Sequence, residues 1–140
     1  MRRLLVILAL SAAGIAVLVL GFDKAPEDAA FHVTLASPAQ YTLGVYTDIF
    51  EADAGEYGFD FVPNGDSPRT LTISVEGTSV MFYQEYALEG TLHDTGISQY
   101  YTWRYVGNDT MIIPERQQLR ITIDPHQNTQ GPVSVSLMAR

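Results

Sequence analysis

Apolar and polar positions alternate with period two along most of the chain after residue 30, and that period predicts strands. Phe31, Val33 and Leu35 alternate with His32 and Thr34 in a first strand that Ser37-Pro38 ends, leaving His32 on the outward face. Tyr41 to Phe50 holds Leu43, Val45 and Phe50, with Gly44 inside the pattern, where a bulge or a close backbone approach is expected. Tyr57, Phe59 and Phe61 then alternate with Gly58 and Asp60, and Leu71, Ile73 and Val75 with Thr70, Thr72 and Ser74. Between these runs Pro63-Asn64-Gly65-Asp66-Ser67-Pro68 supplies turn chemistry, so residues 54–77 read as one β-hairpin.

The second half of the chain continues in the same way. Ser79 to Leu88 predicts a long strand with Val80, Phe82, Tyr86 and Leu88 on one face and Met81, Tyr83, Glu85 and Ala87 on the other. Glu89 to Ser98 reads as a loop. Tyr100 to Val106 follows with Tyr101, Trp103 and Tyr105 on one face and Tyr100, Thr102 and Arg104 on the other. Met111 to Ile113, Leu119 to Ile123 and Val133 to Leu137 complete eight or nine short strands punctuated by turn signals. This pattern predicts an all-β fold, an antiparallel two-sheet sandwich of jelly-roll or Greek-key type. Phe59, Phe61, Leu71, Ile73, Trp103, Ile121 and Val135 are its expected shared core.

The N-terminus breaks the period. Arg2 and Arg3 precede an uncharged apolar run from Leu4 to Phe22, which as an apolar helix would span roughly 28 Å, close to the hydrocarbon thickness of a bilayer. A cleaved signal peptide has a shorter apolar region and a clearer small-residue site; Val19-Leu20-Gly21 is the one tolerable match. An uncleaved signal anchor over residues 1–22 is therefore favoured over a cleaved signal peptide. The arginines hold the short N-terminus in the cytoplasm. Residues 23–30, polar and acidic, form a tether, and residues 31–140 form the extracytoplasmic domain, membrane-anchored through residues 4–22 or secreted.

Gly55-Glu56-Tyr57-Gly58-Phe59-Asp60-Phe61, then Asn64 and the alternating Leu71-Thr72-Ile73-Ser74-Val75, resemble the G-x-Y-x-F-x-F-x-N core of GOLD domains, the lumenal β-sandwiches of the p24 cargo-receptor family. The resemblance covers about residues 54–77, and the family's spacing puts its asparagine at Pro63, one residue before Asn64. The family's cysteine pair, coiled coil and C-terminal membrane span have no counterpart here. What the resemblance implies is a sandwich used for protein or ligand binding, not vesicle traffic.

Charge and chemistry narrow the function. From Asp23 onward sixteen acids face six lysines and arginines, an acidic balance that repels phosphate backbones and argues against nucleic acid. There is no cysteine, hence no disulfide, thiol nucleophile or thiolate metal site. His32, His93 and His126 are widely spaced, G-x-S-x-G is absent, and Gly65-Asp66-Ser67-Pro68 is a turn, so no enzymatic activity is expected and no cofactor is called for. Glu51, Asp53, Glu56 and Asp66 crowd the start and turn of the expected hairpin and are candidate calcium ligands, although EF-hand spacing is absent. Asn108-Asp109-Thr110 is a glycosylation acceptor pattern at Asn108. The expected function is a non-catalytic interaction or structural module of the cell envelope, with a protein or glycan partner. The alternative is a carbohydrate-binding module in which outward Tyr83 and Tyr100 stack on sugar while Glu85 and Arg104 bind its hydroxyls.

Overall fold

A computed structural model of the protein describes residues 29–140. The expected N-terminal helix, anchor and most of the tether lie outside those residues, and among the described residues no helix is long and apolar enough to cross a membrane. The regular structure described is β1 (Ala29–Leu35), β2 (Tyr46–Ala52), β3 (Gly55–Pro63), β4 (Thr70–Glu76), β5 (Met81–Asp94), β6 (Gln99–Val106), β7 (Thr110–Ile113), β8 (Gln117–Asp124) and β9 (Val133–Ala139), with one 3-10 turn at Pro38–Gln40. The strands form two antiparallel sheets, one ordered β1-β9-β3-β7 and the other β2-β8-β4-β5-β6.

The apolar faces of the two sheets meet in a sandwich-like arrangement. Leu71, Ile73 and Val75 of β4, Leu119, Ile121 and Ile123 of β8, and Val133, Val135 and Leu137 of β9 are all buried. Aromatic rings bridge the gap: Phe59 of β3 packs on Phe82 of β5 at 5.6 Å, and Phe61 meets Tyr86 at 4.9 Å and Tyr105 at 5.2 Å. Phe59, Leu71, Ile73, Ile121 and Val135 are in the core as expected, with half-buried Phe61 packed against them. Trp103 is the exception, half-buried beyond the core.

The hairpin expected over residues 54–77 does not form. β3 pairs with β7 and β9, whereas β4 pairs with β5 and β8, so the turn at Pro63–Pro68 carries the chain from one sheet to the other. Alternation assigns each strand a buried face, and two strands with the same face bury it equally well side by side or as opposing walls. The crossing is pinned by buried Ser67, whose Oγ accepts from the Asn64 amide at 2.8 Å and donates to the Pro132 carbonyl. Near Gly44 the expected bulge is instead a tight turn. Thr42 and Val45 exchange backbone hydrogen bonds, Leu43 (φ 53°) and Gly44 (φ 85°) are left-handed, and Leu43 points into solvent.

The pairings also sort the two ends of the molecule. β1 begins beside the end of β9, where Ala29 faces Met138. The crossing at Asn64–Arg69, the β5–β6 turn and the β8–β9 loop lie at the opposite end, and there Asn128 Nδ2 donates to the Asp66 carbonyl at 3.2 Å.

Four tyrosines are shifted by this burial. Desolvation drives the phenols of Tyr86 and Tyr105 well above the ordinary tyrosine value, with lesser contributions from Asp109 and Tyr41 respectively. Desolvation also raises Tyr41 to about 12, and Tyr46 to about 12 with help from its hydrogen bond to Asp48. Each folded phenol keeps its proton to a higher pH than the unfolded chain does. The resulting stability is therefore complete below about pH 10 and is lost as pH rises through the folded values. Urea titrations followed by circular dichroism are expected to show a midpoint that falls between pH 10 and 12. In the same assay at neutral pH, Phe59→Ala is expected to cost about 3–5 kcal/mol. Half-buried Trp103→Ala is expected to cost only about 1 kcal/mol.

Candidate binding surface on the β5–β6 arm

The length of β5 creates the surface. Its first half, Met81 to Ala87, pairs with β4, and its second half, Ala87 to Asp94, pairs with β6. β4 starts at Thr70, and the Leu88 amide reaches past it to the Arg69 carbonyl at 2.8 Å. Beyond that point β5 and β6 are a two-stranded ribbon, rising about 14 Å from the Gly90–Trp103 pair to the Asp94–Gln99 pair. The loop expected from Glu89 to Ser98 is thus mostly strand. Glu89, Gly90, His93 and Asp94 are weak strand formers, and their partners on aromatic-rich β6 hold them in the ladder. The true turn is Thr95–Ser98, closed by the Thr95 amide donating to the Ser98 carbonyl at 2.9 Å, with Gly96 left-handed at φ 84°.

The two faces of the arm differ. On the outer face Glu89 meets Arg104 at 3.5 Å, His93 stacks on Tyr100 at 4.9 Å, and His93 Nε2 lies 2.8 Å from Thr102 Oγ1. The inner face pairs Leu88 with Tyr105, Gly90 with Trp103 and Leu92 with Tyr101. Tyr105 packs against the core. Trp103 lies over Gly90 so closely that a β-carbon there would stand 2.6–3.0 Å from its six-membered ring, and its other edge approaches Gly65 of the sheet crossing. Tyr101 continues the row, stacked on Trp103 at 5.6 Å and 27°. Past Trp103 cover runs out: Leu92 is 48 % exposed, Tyr101 56 % and Ile97, at the tip, 98 %. An aromatic row therefore starts in the core at Phe61 and Tyr105 and emerges on the surface at Tyr101.

The four residues expected to bind sugar are not brought together. Tyr83 and Glu85 lie on the first half of β5, opposite Ser74 and Thr72 of β4. Tyr100 faces His93, ten residues further along β5 and about 33 Å from Tyr83. Arg104 bridges Glu89 instead of Glu85. The expectation assumed that the two strands pair along their whole lengths, whereas β6 uses only the second half of β5. Alternation alone does not mark Leu92, Ile97, Tyr101 and Trp103 as a surface. Gly90, a glycine in a strand region, was the available signal that a large ring lies across it.

The acids considered for calcium are also dispersed. Arg116 bridges Glu51 at 2.9 Å and also contacts Asp53, and these two carboxylates, Asp53 foremost, raise its guanidinium above the ordinary arginine value. Glu56 sits at the start of β3 opposite Ile112, and Asp66 lies in the sheet crossing at the other end. Among the described residues no group of three or more histidine or acidic side chains is placed to hold a metal ion. The histidines stand apart, His32 Nδ1 at 2.8 Å from Ser136 Oγ and His126 Nε2 at 2.7 Å from Thr72 Oγ1. Asn108 is exposed in the β6–β7 connection, where its backbone carbonyl accepts from the Tyr86 hydroxyl at 2.7 Å.

Trp103 is the chain's single tryptophan, so its fluorescence reports the arm directly. Gly90→Val is expected to lift the indole off β5, shifting emission to the red and increasing acrylamide quenching while far-ultraviolet circular dichroism stays unchanged. Unaltered emission would place the ring elsewhere. No family model, curated protein or solved structure matches this chain.

Proposed function

We propose that the protein is a non-catalytic binding module of the cell envelope, a sandwich of jelly-roll or Greek-key type that engages its partner with the inner face of the β5–β6 arm. The observation that carries this reading is the uncovered row of Leu92, Ile97, Tyr101 and half-buried Trp103 on a ribbon. An isolated two-stranded ribbon is marginal in water, and contiguous apolar surface rimmed by polar residues is characteristic of interaction sites. Aromatic anchors of this kind contribute most of the binding energy at many interfaces. The resemblance of residues 54–77 to GOLD domains leans the same way.

Orientation supports the reading. With residues 4–22 as the anchor, the chain enters β1 at the end of the molecule opposite the arm tip, so the arm points away from the membrane. The carbohydrate reading moves to this face as well. The exposed Tyr101 ring, stacked against Trp103, offers an apolar surface, to which the apolar face of a sugar ring is complementary.

The test places a photoreactive amino acid at Leu92 or, as a control, at exposed Met81 in the full-length chain on cells. Crosslinks are expected from position 92 to a product whose added mass is not that of a second 15.5 kDa chain, and none from position 81. For a glycan partner, calorimetry against envelope polysaccharides is expected to show binding that Tyr101→Ala abolishes. Equal crosslinking from both positions, together with no polysaccharide binding, would remove the proposal.

A further inference from the structure

The two sheets expose four edges, at β1, β7, β2 and β6. An unprotected edge strand is a template for another strand, and folded proteins blunt such edges with bulges, charges, prolines or short lengths. Three of the four edges here are blunted. The β1 register shifts between Ala29 and Phe31, β7 is four residues long and runs into Pro114, and β2 carries exposed Asp48 and Glu51. β6 is the least protected, with no bulge or proline and one charge. Its eight residues, Gln99 to Val106, contain no proline, glycine or acid, and its single charge, Arg104, is already turned toward Glu89. Tyr100, Tyr101 and Val106 are exposed along it.

We infer that the edge of β6 pairs antiparallel with β6 of a second copy of this chain, about a two-fold axis at Thr102. The axis is normal to the sheet, because only that operation keeps the two apolar inner faces on the same side. Centring it on Thr102 sets Tyr101 opposite the partner's Trp103 on the inner face and Tyr100 opposite the partner's Arg104 on the outer face, each contact made twice. Cross-strand aromatic pairs stabilise sheets, and an arginine over a tyrosine ring is attracted to it. Charge at this edge does not oppose self-association. The chain has a net charge of −8, which opposes contact between copies, but the one charge on β6, Arg104, is paired with Glu89, so the seam itself adds no repulsion.

The pairing turns two ribbons into a four-stranded sheet and lays two Tyr101–Trp103 rows side by side. It also points the two β1 strands in opposite directions, because antiparallel arms carry their domains away from the axis. Two anchored copies would then meet from opposed membranes. The seam runs along the strand edge and leaves the inner face open to a further partner; the test rests on the anchor assigned to residues 4–22, but not on what the inner face binds.

The absence of cysteine makes the test direct. Full-length chains carrying Thr102→Cys, Tyr100→Cys or Arg104→Cys are placed one per lipid nanodisc, mixed, and oxidised gently. Residues directly opposite in an antiparallel pair lie within disulfide reach, whereas Tyr100 is four residues from its own copy across this axis. The T102C chain is expected to form disulfide dimers between discs at least about tenfold faster than Y100C alone, because pairing raises the local thiol concentration. A mixture of Y100C and R104C is expected to crosslink as readily as T102C. Dimers from Y100C alone at the rate of T102C would overturn the register. No dimers from any of them, which is also the outcome if β6 receives a strand from a different protein, would overturn the inference.

Discussion

Phe61 set edge-on against both Tyr86 and Tyr105 is the contact on which the architecture depends. It joins β3 of one sheet to β5 and β6 of the other. Both phenols then reach past the ring to the backbone where the chain changes sheets: Tyr105 donates to the Pro68 carbonyl at 2.6 Å and Tyr86 to the Asn108 carbonyl at 2.7 Å. The same three rings thus hold the core together and satisfy two carbonyls at the sheet crossings. They also form the base from which the arm rises. A cysteine-free domain has no covalent substitute for such a junction, so packing and satisfied buried polar groups must supply it.

Charge is distributed along the molecule to suit this plan. Arg116 holds Glu51 and Asp53, Arg120 holds Glu76, and Arg140 reaches both Asp60 and Asp109. All these groups are well exposed, where an ion pair contributes little stability on its own. Their effect is to offset negative charge locally, at each of these acids. Arg104, the arginine of the arm, meets Glu89 on its outer face, and the inner face is left to Leu92, Tyr101 and Trp103.

Period-two alternation made most strands legible, with their inward residues, because burial on one face leaves a direct mark on residue choice. Leu71, Ile73, Ile121 and Val135 belong to the core for that reason. Trp103 carried the same mark without belonging there, since it lies on the inward face of β6 where the opposite sheet no longer covers it. The four-residue sugar site was illegible for a related reason. Alternation shows the facing along β5 and β6, but the register that separates Tyr83 from Tyr100 is set by the position of the Thr95–Ser98 turn, which alternation does not fix.

By itself the sequence determined the all-β class, most strand positions, the inward face of most of them and the turns that separate them, because each of these is a local property of alternation and of proline and glycine. Tertiary structure decided which strands are neighbours. β3 and β4 looked like a hairpin and became opposing walls, and a stretch that looked like a loop became the second half of β5. Those outcomes turn on competition among distant partners: β9 and β7 for β3, β8 and β5 for β4, and aromatic β6 for the weak strand formers of β5. A period of two names the face that must be buried, and only the packed set of all strands names what buries it.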